Sequence, residues 1–489
     1  MLNGTASYIP QPDQPTSLRA AVASPGSVST TWLWMAILPL AAILRFLFLS
    51  RESLGFDEVA SLGIVRHDWT DFLRVLWLRE ANMTTFYLSL RPLVLYVGDS
   101  EFWVRLPAVV TGLAAIPVIF SLGKIVFERR TALWATLLLA VSGCHVAYSR
   151  EARGYSMAVL FAALSSLYFL KAIEHPSRTT WFLYAAASTL AVYSHFYAGL
   201  VLVAQWLSLA VLPRRIVPWK GLLVATALTA LLIAPLAAVA LTHNEGQLDW
   251  VQKLSWLEVY RTGAFLAADE GKVLGGILLV LCLAALGNSA KKTIRSWNST
   301  DGPLDRWRRA YLWLWLIVPL LLTAIVSLWI PIFFHRFFIV CLPAFVLLVT
   351  WGISILRRTP LLIAGFTLLS LIVVGQHYGR IREDWRGATQ DVVAHAQPGD
   401  AVFFWYPDGN GPFSYYQGRS NRGSLPEIAN LDVALGGSPD YRRLWVVLYP
   451  VSSSDPSVDD TSSRLTAKYR VLERTEYRRI RVLLLDLAR

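Results

Sequence analysis

Two adjacent carboxylates, Asp57 and Glu58, stand in Gly55-Phe56-Asp57-Glu58, directly after the first long apolar run of the chain. A pair of this kind can supply a general base with an electrostatic neighbour, or can bind a divalent cation. The alternative is a solvated pair that marks the end of a helix. The pattern alone favours the solvated pair, because two acidic residues in a loop form a weak motif.

A second charged segment, Ser149-Arg150-Glu151-Ala152-Arg153-Gly154-Tyr155, places three charges in a short turn between two apolar runs. Ionisable groups held at the depth of a membrane are costly, so they tend either to be functional or to neutralise one another. Arg153 could bind a phosphate, and Glu151 could join Asp57 on the same face.

Two further sites lie at the ends of apolar runs. His195 ends the fifth run, and His335-Arg336 stands at the start of the tenth, where a lipid phosphate would lie. Membrane-interface anchoring is the alternative for all three residues. Glu101 and Arg105, four residues apart on a predicted helix, could pair with each other, and a structural role is favoured for them.

The composition of the chain predicts the kind of structure that positions these residues. The chain has 489 residues, 55% of them hydrophobic and 16% charged, which predicts an α-helical polytopic membrane protein. The formal charge of +12 is scattered through short loops, which argues against nucleic-acid binding. The three cysteines lie inside apolar runs and indicate neither disulfides nor a zinc cluster.

About eleven transmembrane helices are expected. The apolar runs lie near 32–49, 102–122, 131–146, 155–170, 181–196, 200–212, 221–241, 273–286, 311–330, 337–356 and 361–374. Alternate loops are rich in Lys and Arg, which predicts that they are cytoplasmic and that the other loops are external. The acidic pair, the charged turn and both histidine sites then share the external face.

Three domains are predicted: a disordered cytoplasmic tail (1–31), a transmembrane domain (32–377) with a large first external loop (51–101), and a small extracytoplasmic α/β domain (378–489). In the last domain a helix is expected over Asp384 to Ala396. Strands are expected over Ala401 to Trp405, Leu444 to Tyr449 and Ile480 to Leu485. Its tryptophans and tyrosines could stack on a saccharide or simply pack.

The order of these motifs resembles that of bacterial membrane glycosyltransferases of the GT-C superfamily. It is most similar to the family-39-like branch, related to protein O-mannosyltransferases and to the aminoarabinose transferase of lipid A. The matching motifs are Phe56-Asp57-Glu58, Arg105-Leu106-Pro107, Ser149 to Tyr155, Arg336 followed by Pro343, and Asp384-Trp385-Arg386.

The resemblance implies transfer of a sugar from a polyprenyl-phosphate donor to a lipid, glycan or protein acceptor on the external face of a bacterial inner membrane, usually by one inverting displacement. It implies that Asp57 is the base or positions the acceptor, that Glu151 and Arg153 face the same cavity, and that Arg336 meets the carrier phosphate. Asn82 stands where many relatives begin His-Pro-Pro-Leu-Tyr, so it is a substrate-binding candidate by position.

The chemistry explains the residue types. An acceptor hydroxyl attacks the anomeric carbon while a phosphate leaves, so a base is needed on one side and cations on the other. The catalytic candidates are Asp57, Glu58 and Glu151. The substrate-binding candidates are Arg153, Tyr155, His195, Lys272, His335, Arg336 and Asn82.

No cofactor is required by this scheme, although a divalent cation could bind the acidic pair. A transporter or flippase of a lipid-linked saccharide is the alternative, and a noncatalytic assembly subunit is a third. Charges clustered on one face, rather than along a path through the membrane, favour the enzyme.

Overall fold

The protein is mostly helical, with a small sheet near its C-terminal end. The computed structural model describes residues 30–78, 80–242, 250–268, 273–297, 302–379, 383–420, 424–429, 441–449 and 457–487. The predicted tail lies almost wholly outside these residues, as does Lys272.

Nineteen α-helices are seen in the part of the chain that the structure describes. In chain order they are α1 Thr30–Phe46, α2 Phe56–Arg66, α3 Trp69–Leu78, α4 Thr84–Tyr96, α5 Glu101–Val126, α6 Arg129–Val141, α7 Gly143–Tyr148, α8 Tyr155–Glu174, α9 Arg178–Ser194, α10 Ala198–Ser208, α11 Trp219–Thr242, α12 Trp256–Ala268, α13 Val273–Trp297, α14 Pro303–Val326, α15 Leu342–Ser354, α16 Thr359–Gly379, α17 Trp385–His395, α18 Asn410–Gln417 and α19 Ser457–Lys468. Short 3₁₀ segments occupy Leu209–Val211, His335–Cys341 and Pro407–Gly409.

Seven helical segments of the described chain are long and apolar enough to cross a membrane: Glu101–Val126, Tyr155–Glu174, Trp219–Ala240, Val273–Trp297, Pro303–Val326, His335–Ser354 and Thr359–Gly379. Each of the eleven predicted runs overlaps a helix, but the count of eleven spans is not confirmed. One reason is a break at Ser142, whose hydroxyl accepts a hydrogen bond from the His145 backbone N–H and so begins a new helix, α7.

Burial separates inner from outer helices. The apolar window of the segment His335–Ser354 is 94% buried and that of α8 is 78% buried, whereas those of α11 and α16 are each 28% buried. A helix that is apolar all round and little buried by protein has to present its remaining surface to lipid. Two central segments are therefore surrounded by helices that face the membrane.

The first predicted external loop is folded into helices α2, α3 and α4 rather than being irregular. In α3, Phe72 and Leu76 are buried while Trp69, Leu73 and Trp77 are exposed. Apolar side chains on both faces suit a helix that lies at the membrane interface.

The C-terminal region contains a four-stranded sheet in the order β1-β2-β4-β3. Its strands are β1 Asp400–Phe404, β2 Arg443–Leu448, β3 Arg470–Tyr477 and β4 Ile480–Asp486. The first two pair in parallel and the other pairs are antiparallel. The predicted helix and three predicted strands are present within a residue or two. The sequence-based prediction omitted β3, an edge strand whose residues alternate between exposed and half-buried.

Candidate active site

The side chains of the two adjacent carboxylates, Asp57 and Glu58, point in different directions from helix α2. Neighbouring residues on an α-helix point about 100° apart, so one side chain can face the protein while the next faces solvent. The side chain of Glu58 is 1% exposed, whereas that of Asp57 is 43% exposed. Glu58 Oε2 also accepts a hydrogen bond from the Gly55 N–H (3.2 Å), which fixes the start of the helix.

Glu58 forms a buried ion pair with Arg105. Nε and Nη2 of the guanidinium donate to its two carboxylate oxygens at 2.8 and 2.7 Å, and the Ala152 N–H donates to Oε1 at 3.0 Å. Arg105 donates further to the carbonyls of Leu49 (2.6 Å) and Ser53 (3.1 Å). Glu58, predicted to be catalytic, therefore has the contacts of a structural residue: it ties α2 to α5 and to the charged turn.

The expected pairing of Glu101 with Arg105 does not occur. Glu101 instead accepts from Arg386 (2.6 Å) and from the Tyr416 hydroxyl (3.0 Å), both in the C-terminal region. Arg105 is drawn to Glu58 because a bidentate carboxylate in a buried position satisfies more of its donors than a neighbour on its own helix.

Asp57 faces two cations. Its Oδ2 lies 3.9 Å from Nη1 of Arg336, and its charge also acts on Arg153. The Nε–H groups of Arg153 and Arg336 are buried and have no hydrogen-bond acceptor among the described residues. Buried donors of this kind are uncommon and call for an explanation. The arrangement presents a half-exposed carboxylate beside two guanidiniums that have donors to spare.

The charged turn lies in the wall of this site. Arg153 donates from Nη1 to the Tyr87 hydroxyl at 3.3 Å. Burial alone would lower the pKa of Arg153, but the neighbouring Tyr87 and Asp57 raise it above its ordinary value. Glu151 is buried and its charge acts on both Arg336 and Tyr155. The structure thus brings Glu151 and Arg153 together with Asp57 and Arg336.

The backbone of the turn is closely packed. A Cβ added at Gly154 would lie 2.8 Å from the Ser194 carbonyl oxygen, closer than real Cβ contacts allow, and 3.2 Å from Cβ of Met83. The Gly154 N–H also points to the Met83 sulfur at 3.4 Å. Only glycine allows the turn to lie so close to the end of α9.

His195 and Tyr155 stack at the base of the site, with ring centroids 5.7 Å apart. His195 is buried. Its Nδ1 accepts from the Tyr197 N–H (3.3 Å), and its Nε2 has no partner among the described residues. Asn82 accepts a hydrogen bond from the Phe196 N–H at 3.1 Å. In this structure Asn82 therefore holds the turn that carries His195.

His335 faces a different neighbour from Arg336. Its Nδ1 lies 3.5 Å from Oε2 of Glu258 in α12, and Glu258 also pairs with Arg261 at 2.5 Å. Within the described residues, then, His335 belongs to a cluster with α12, while Arg336 belongs with Asp57. The predicted role of Lys272 falls outside the described residues.

Two residues of the site were not singled out from the sequence. Glu80 accepts a hydrogen bond from the Tyr87 hydroxyl at 3.4 Å, and both lie within electrostatic reach of Arg153 and Asp57. Burial raises the pKa of Glu80, and the nearby Arg153 partly offsets this. Glu80 and Tyr87 lie on either side of Asn82-Met83 in the sequence, and this proximity to a candidate residue could have identified them.

The C-terminal region forms one side of the site. Burial, with the charges of Glu383, Asp408 and Asp57, raises the pKa of Tyr449 to about 12. Tyr449 packs edge-on against Trp385 (5.2 Å between centroids). Trp385, Tyr415 and Tyr416 are buried, which gives them packing roles, whereas Tyr406 and Tyr449 are half-buried.

In the part of the chain that the structure describes, no cluster of metal ligands includes the acidic pair, and Glu58 is held by Arg105. Among the described residues, one group of three side chains has the geometry to hold a metal ion: Asp391, His395 and Glu473 in the C-terminal region. His395 and Asp391 also pair within α17 at 3.0 Å, which accounts for their proximity.

Residues 83–239 match the family of dolichyl-phosphate-mannose-protein mannosyltransferases. A search of curated proteins gives no match.

Solved structures share the fold across nearly the whole chain. ArnT from Cupriavidus metallidurans is 14% identical, with a TM-score of 0.59 in the apo state and coverage of 94% of this chain and 98% of that one. Its complex with undecaprenyl phosphate gives a TM-score of 0.57 at 14% identity, covering 93% and 98%. The oligosaccharyltransferase of Archaeoglobus fulgidus, solved with Zn and sulfate, is 12% identical with a TM-score of 0.54, covering 85% and 67%. The expected resemblance to the GT-C superfamily is confirmed in the fold.

Proposed function

We propose that this protein, which has the GT-C fold, transfers a sugar from a polyprenyl-phosphate donor to an acceptor hydroxyl. The observation that carries the proposal is the placement of Asp57, half-exposed, beside Arg336 and Arg153, each with an unpaired buried donor. A base and a phosphate-binding pair are the two things that such a transfer needs.

In the proposed reaction the acceptor oxygen attacks the anomeric carbon of the donor. Asp57 takes the hydroxyl proton as the new C–O bond forms. The bond between the anomeric carbon and the phosphate oxygen breaks, and the carrier phosphate leaves with its electron pair, held by Arg336 and Arg153. A single displacement of this kind inverts the anomeric configuration.

The remaining candidates support these two arginines. Glu151 is buried within electrostatic range of Arg336 and stabilises its positive charge, while Tyr155 and His195 form an aromatic floor. Asn82 acts by holding the turn at Phe196. His335 positions α12 through Glu258. Glu58 has a positioning role, because its ion pair orients the start of α2 and hence Asp57.

A lipid carrier suits the surroundings of the site. The donor phosphate would sit at the membrane surface and the isoprenoid tail would lie between apolar spans. The family that residues 83–239 match is named for its dolichyl-phosphate-mannose donor, and ArnT has been solved with undecaprenyl phosphate. Both descriptions favour a polyprenyl-phosphate sugar here.

The acceptor would enter from the side formed by the C-terminal region, where Tyr406 and Tyr449 are half-buried near Asp57. A lipid, a glycan or a protein hydroxyl each fits this chemistry. We place this end of the molecule on the outer side of a bacterial inner membrane, because the loops rich in Lys and Arg lie at the other end. The proposed domains remain 1–31, 32–377 and 378–489.

The test is transfer by the purified protein from a panel of radiolabelled polyprenyl-phosphate sugars to candidate acceptors, with donor hydrolysis measured in parallel. Asp57→Asn should lower either rate by about 100- to 10,000-fold while donor binding persists. Full activity in Asp57→Asn would remove Asp57 from the role of base.

A flippase for a lipid-linked saccharide is the competing function. It predicts movement of an intact saccharide lipid across proteoliposomes without cleavage of the bond to phosphate. Cleavage that depends on Asp57 supports the transferase, and movement without cleavage supports the flippase.

A further inference from the structure

A cavity of about 630 Å³ opens at the end of the helical bundle opposite to Asp57. Its wall is formed by the connection between α5 and α6, the last turns of α13, the first turns of α14 and the connection between α15 and α16. These are the loops rich in Lys and Arg that are predicted to be cytoplasmic.

Cations outnumber carboxylates in the wall. The charged lining residues are Arg130, Lys292, Arg308, Arg309 and Arg357, against Glu128 and Asp305. Arg308 is occupied by Glu174 (2.7 Å) and Asp305 (2.8 Å). The side chains of Arg130, Lys292 and Arg357 are exposed, so an excess of positive charge faces the cavity.

An aromatic surface organises two of these cations. Nζ of Lys292 and the guanidinium carbon of Arg309 each lie 5.6 Å from the ring centroid of Trp351. The same indole is stacked on Phe127 at 5.1 Å. Trp351 is buried. At the next residue, Gly352, an added Cβ would lie 1.8 Å from the Ala285 carbonyl oxygen. Helices α13 and α15 therefore touch at the base of the cavity.

Helix dipoles add to the field. The cavity is lined by Thr131, in the first turn of α6, and by Thr359 and Pro360, which begin α16. The N-terminal end of a helix carries partial positive charge and unpaired N–H groups, which favour anions. Two such ends meet the same cavity as the basic side chains.

We propose that this cavity binds the phosphate group of an anionic ligand, supplied by the headgroup of a membrane lipid. Basic pockets between transmembrane helices on the cytoplasmic side suit anionic headgroups. The exposed Leu356 and Leu361 adjoin the lining residues Arg357 and Pro360 in the chain and offer apolar surface for acyl chains. The preference of basic loops for the cytoplasmic side explains why these loops carry Lys and Arg. It does not explain why the basic side chains meet at one cavity beside Trp351.

Two matched double variants test the site. Lys292→Gln/Arg357→Gln removes two lining cations, and Lys291→Gln/Arg358→Gln removes the same charge from the adjacent exposed residues, which do not line the cavity. Binding of phosphatidylglycerol, cardiolipin and phosphatidylcholine to full-length protein in detergent is measured by native mass spectrometry. Soluble glycerol phosphate serves as a competitor.

The cavity variant should bind the anionic lipids about 10- to 30-fold more weakly than the wild type, whereas the control variant and phosphatidylcholine binding should change little. Displacement of lipid by millimolar glycerol phosphate would support the phosphate site but assign it to a soluble ligand. Equal binding by both double variants would overturn the proposal. If the double variant unfolds, Arg130→Gln provides the same comparison at a single exposed lining residue.

Discussion

Nη1 of Arg336 lies 3.9 Å from Oδ2 of Asp57, whereas Nη2 of Arg105 lies 2.7 Å from Oε2 of Glu58. The second distance is that of a charge-assisted hydrogen bond and the first is too long for one. The protein thus contains one tight, buried pair and one loose, half-exposed pair on adjacent residues of α2. The loose pair leaves both partners able to contact a substrate.

Replacing Arg336 should weaken donor binding. Arg336→Gln removes a charge that would contact the carrier phosphate, so the Kd for undecaprenyl phosphate should rise by about 10- to 100-fold. Arg419→Gln is the control, because both arginines are 37% exposed and both pair with an aspartate. Equal Kd values for the two variants, measured by tryptophan fluorescence titration, would exclude Arg336 from the phosphate site.

Glu58→Gln should act through stability. Removing one partner of a buried pair leaves the other charge uncompensated, so the free energy of unfolding should fall by about 3–5 kcal/mol. Asp57→Asn should leave the thermal midpoint in detergent almost unchanged, because Asp57 is half-exposed and its ion pair is loose. A Glu58→Gln variant as stable as the wild type would show that the pair with Arg105 is not structural.

Gly154→Ala should disturb the site by displacing the backbone of the charged turn. The added methyl group would lie 2.8 Å from the Ser194 carbonyl oxygen, so overpacking of about 1–3 kcal/mol is expected, with loss of transfer activity. Gly63→Ala, in the exposed middle of α2, has no atom within 4 Å of the new Cβ and should be neutral or stabilising. Similar thermal midpoints for the two variants would contradict the close approach.

Asp400 should make the C-terminal sheet sensitive to acid. Burial alone would raise the pKa of Asp400, but hydrogen bonds from Arg443, the Gln397 backbone and Trp445 lower it below the ordinary value of 3.8. Because the folded-state pKa is depressed, ionised Asp400 stabilises the fold above about pH 3.8, and this stabilisation is lost as the pH falls through the folded-state value.

The corresponding variant, Asp400→Asn, should lower stability at pH 7 by about 1–3 kcal/mol, and its difference from the wild type should shrink below pH 3.8. Thermal melting of the full-length protein in detergent, monitored by circular dichroism at pH 7 and again below pH 3.8, measures this difference in stability. Asp460→Asn is the control, since Asp460 is 59% exposed and pairs only with its helix neighbour Arg464 among the contacts of the described residues. A difference that is independent of pH would rule out the ionic contribution.

Removal of divalent cations should leave transfer activity within about twofold of its starting value, because Arg336 and Arg153 already place positive charge beside Asp57 and repel a metal ion there. Activity in EDTA, followed by addition of magnesium or manganese, checks this. Loss in EDTA with recovery on adding metal would assign a cation to the site.

Sequence reasoning predicted the residues that cluster around Asp57 but not all of their pairings. Charge periodicity and loop polarity brought Asp57, Glu151, Arg153 and Arg336 to one face, because membrane topology is encoded locally in apolar length and loop charge. The same local view paired Glu101 with Arg105. The observed partner of Glu101, Arg386, is 285 residues away, and spacing along a helix carries no information about such a contact.

The secondary structure likewise contains elements that the sequence predicts and elements that it does not. The strands β1, β2 and β4 are short apolar runs and were predictable. By contrast, β3 contains Arg470, Glu473, Arg474 and Glu476 and lies at the sheet edge. Its charged residues obscure the strand pattern, although one of its two faces is half-buried. Helices α2 and α4 of the first external loop were likewise hidden by their mixed polarity.

Two hydrogen bonds limit the order in which this part of the protein can form during synthesis. The Ser53 hydroxyl donates to the Glu383 carbonyl (2.5 Å), and the Leu54 N–H donates to the Tyr416 hydroxyl (2.7 Å), across 330 and 362 residues of chain. A nascent chain must therefore insert all its later spans before the segment that leads into α2 acquires these partners. The segment that leads into Asp57 gains these contacts only after 362 further residues have been synthesised, so shortened translation products carry Asp57 without the contacts that support it.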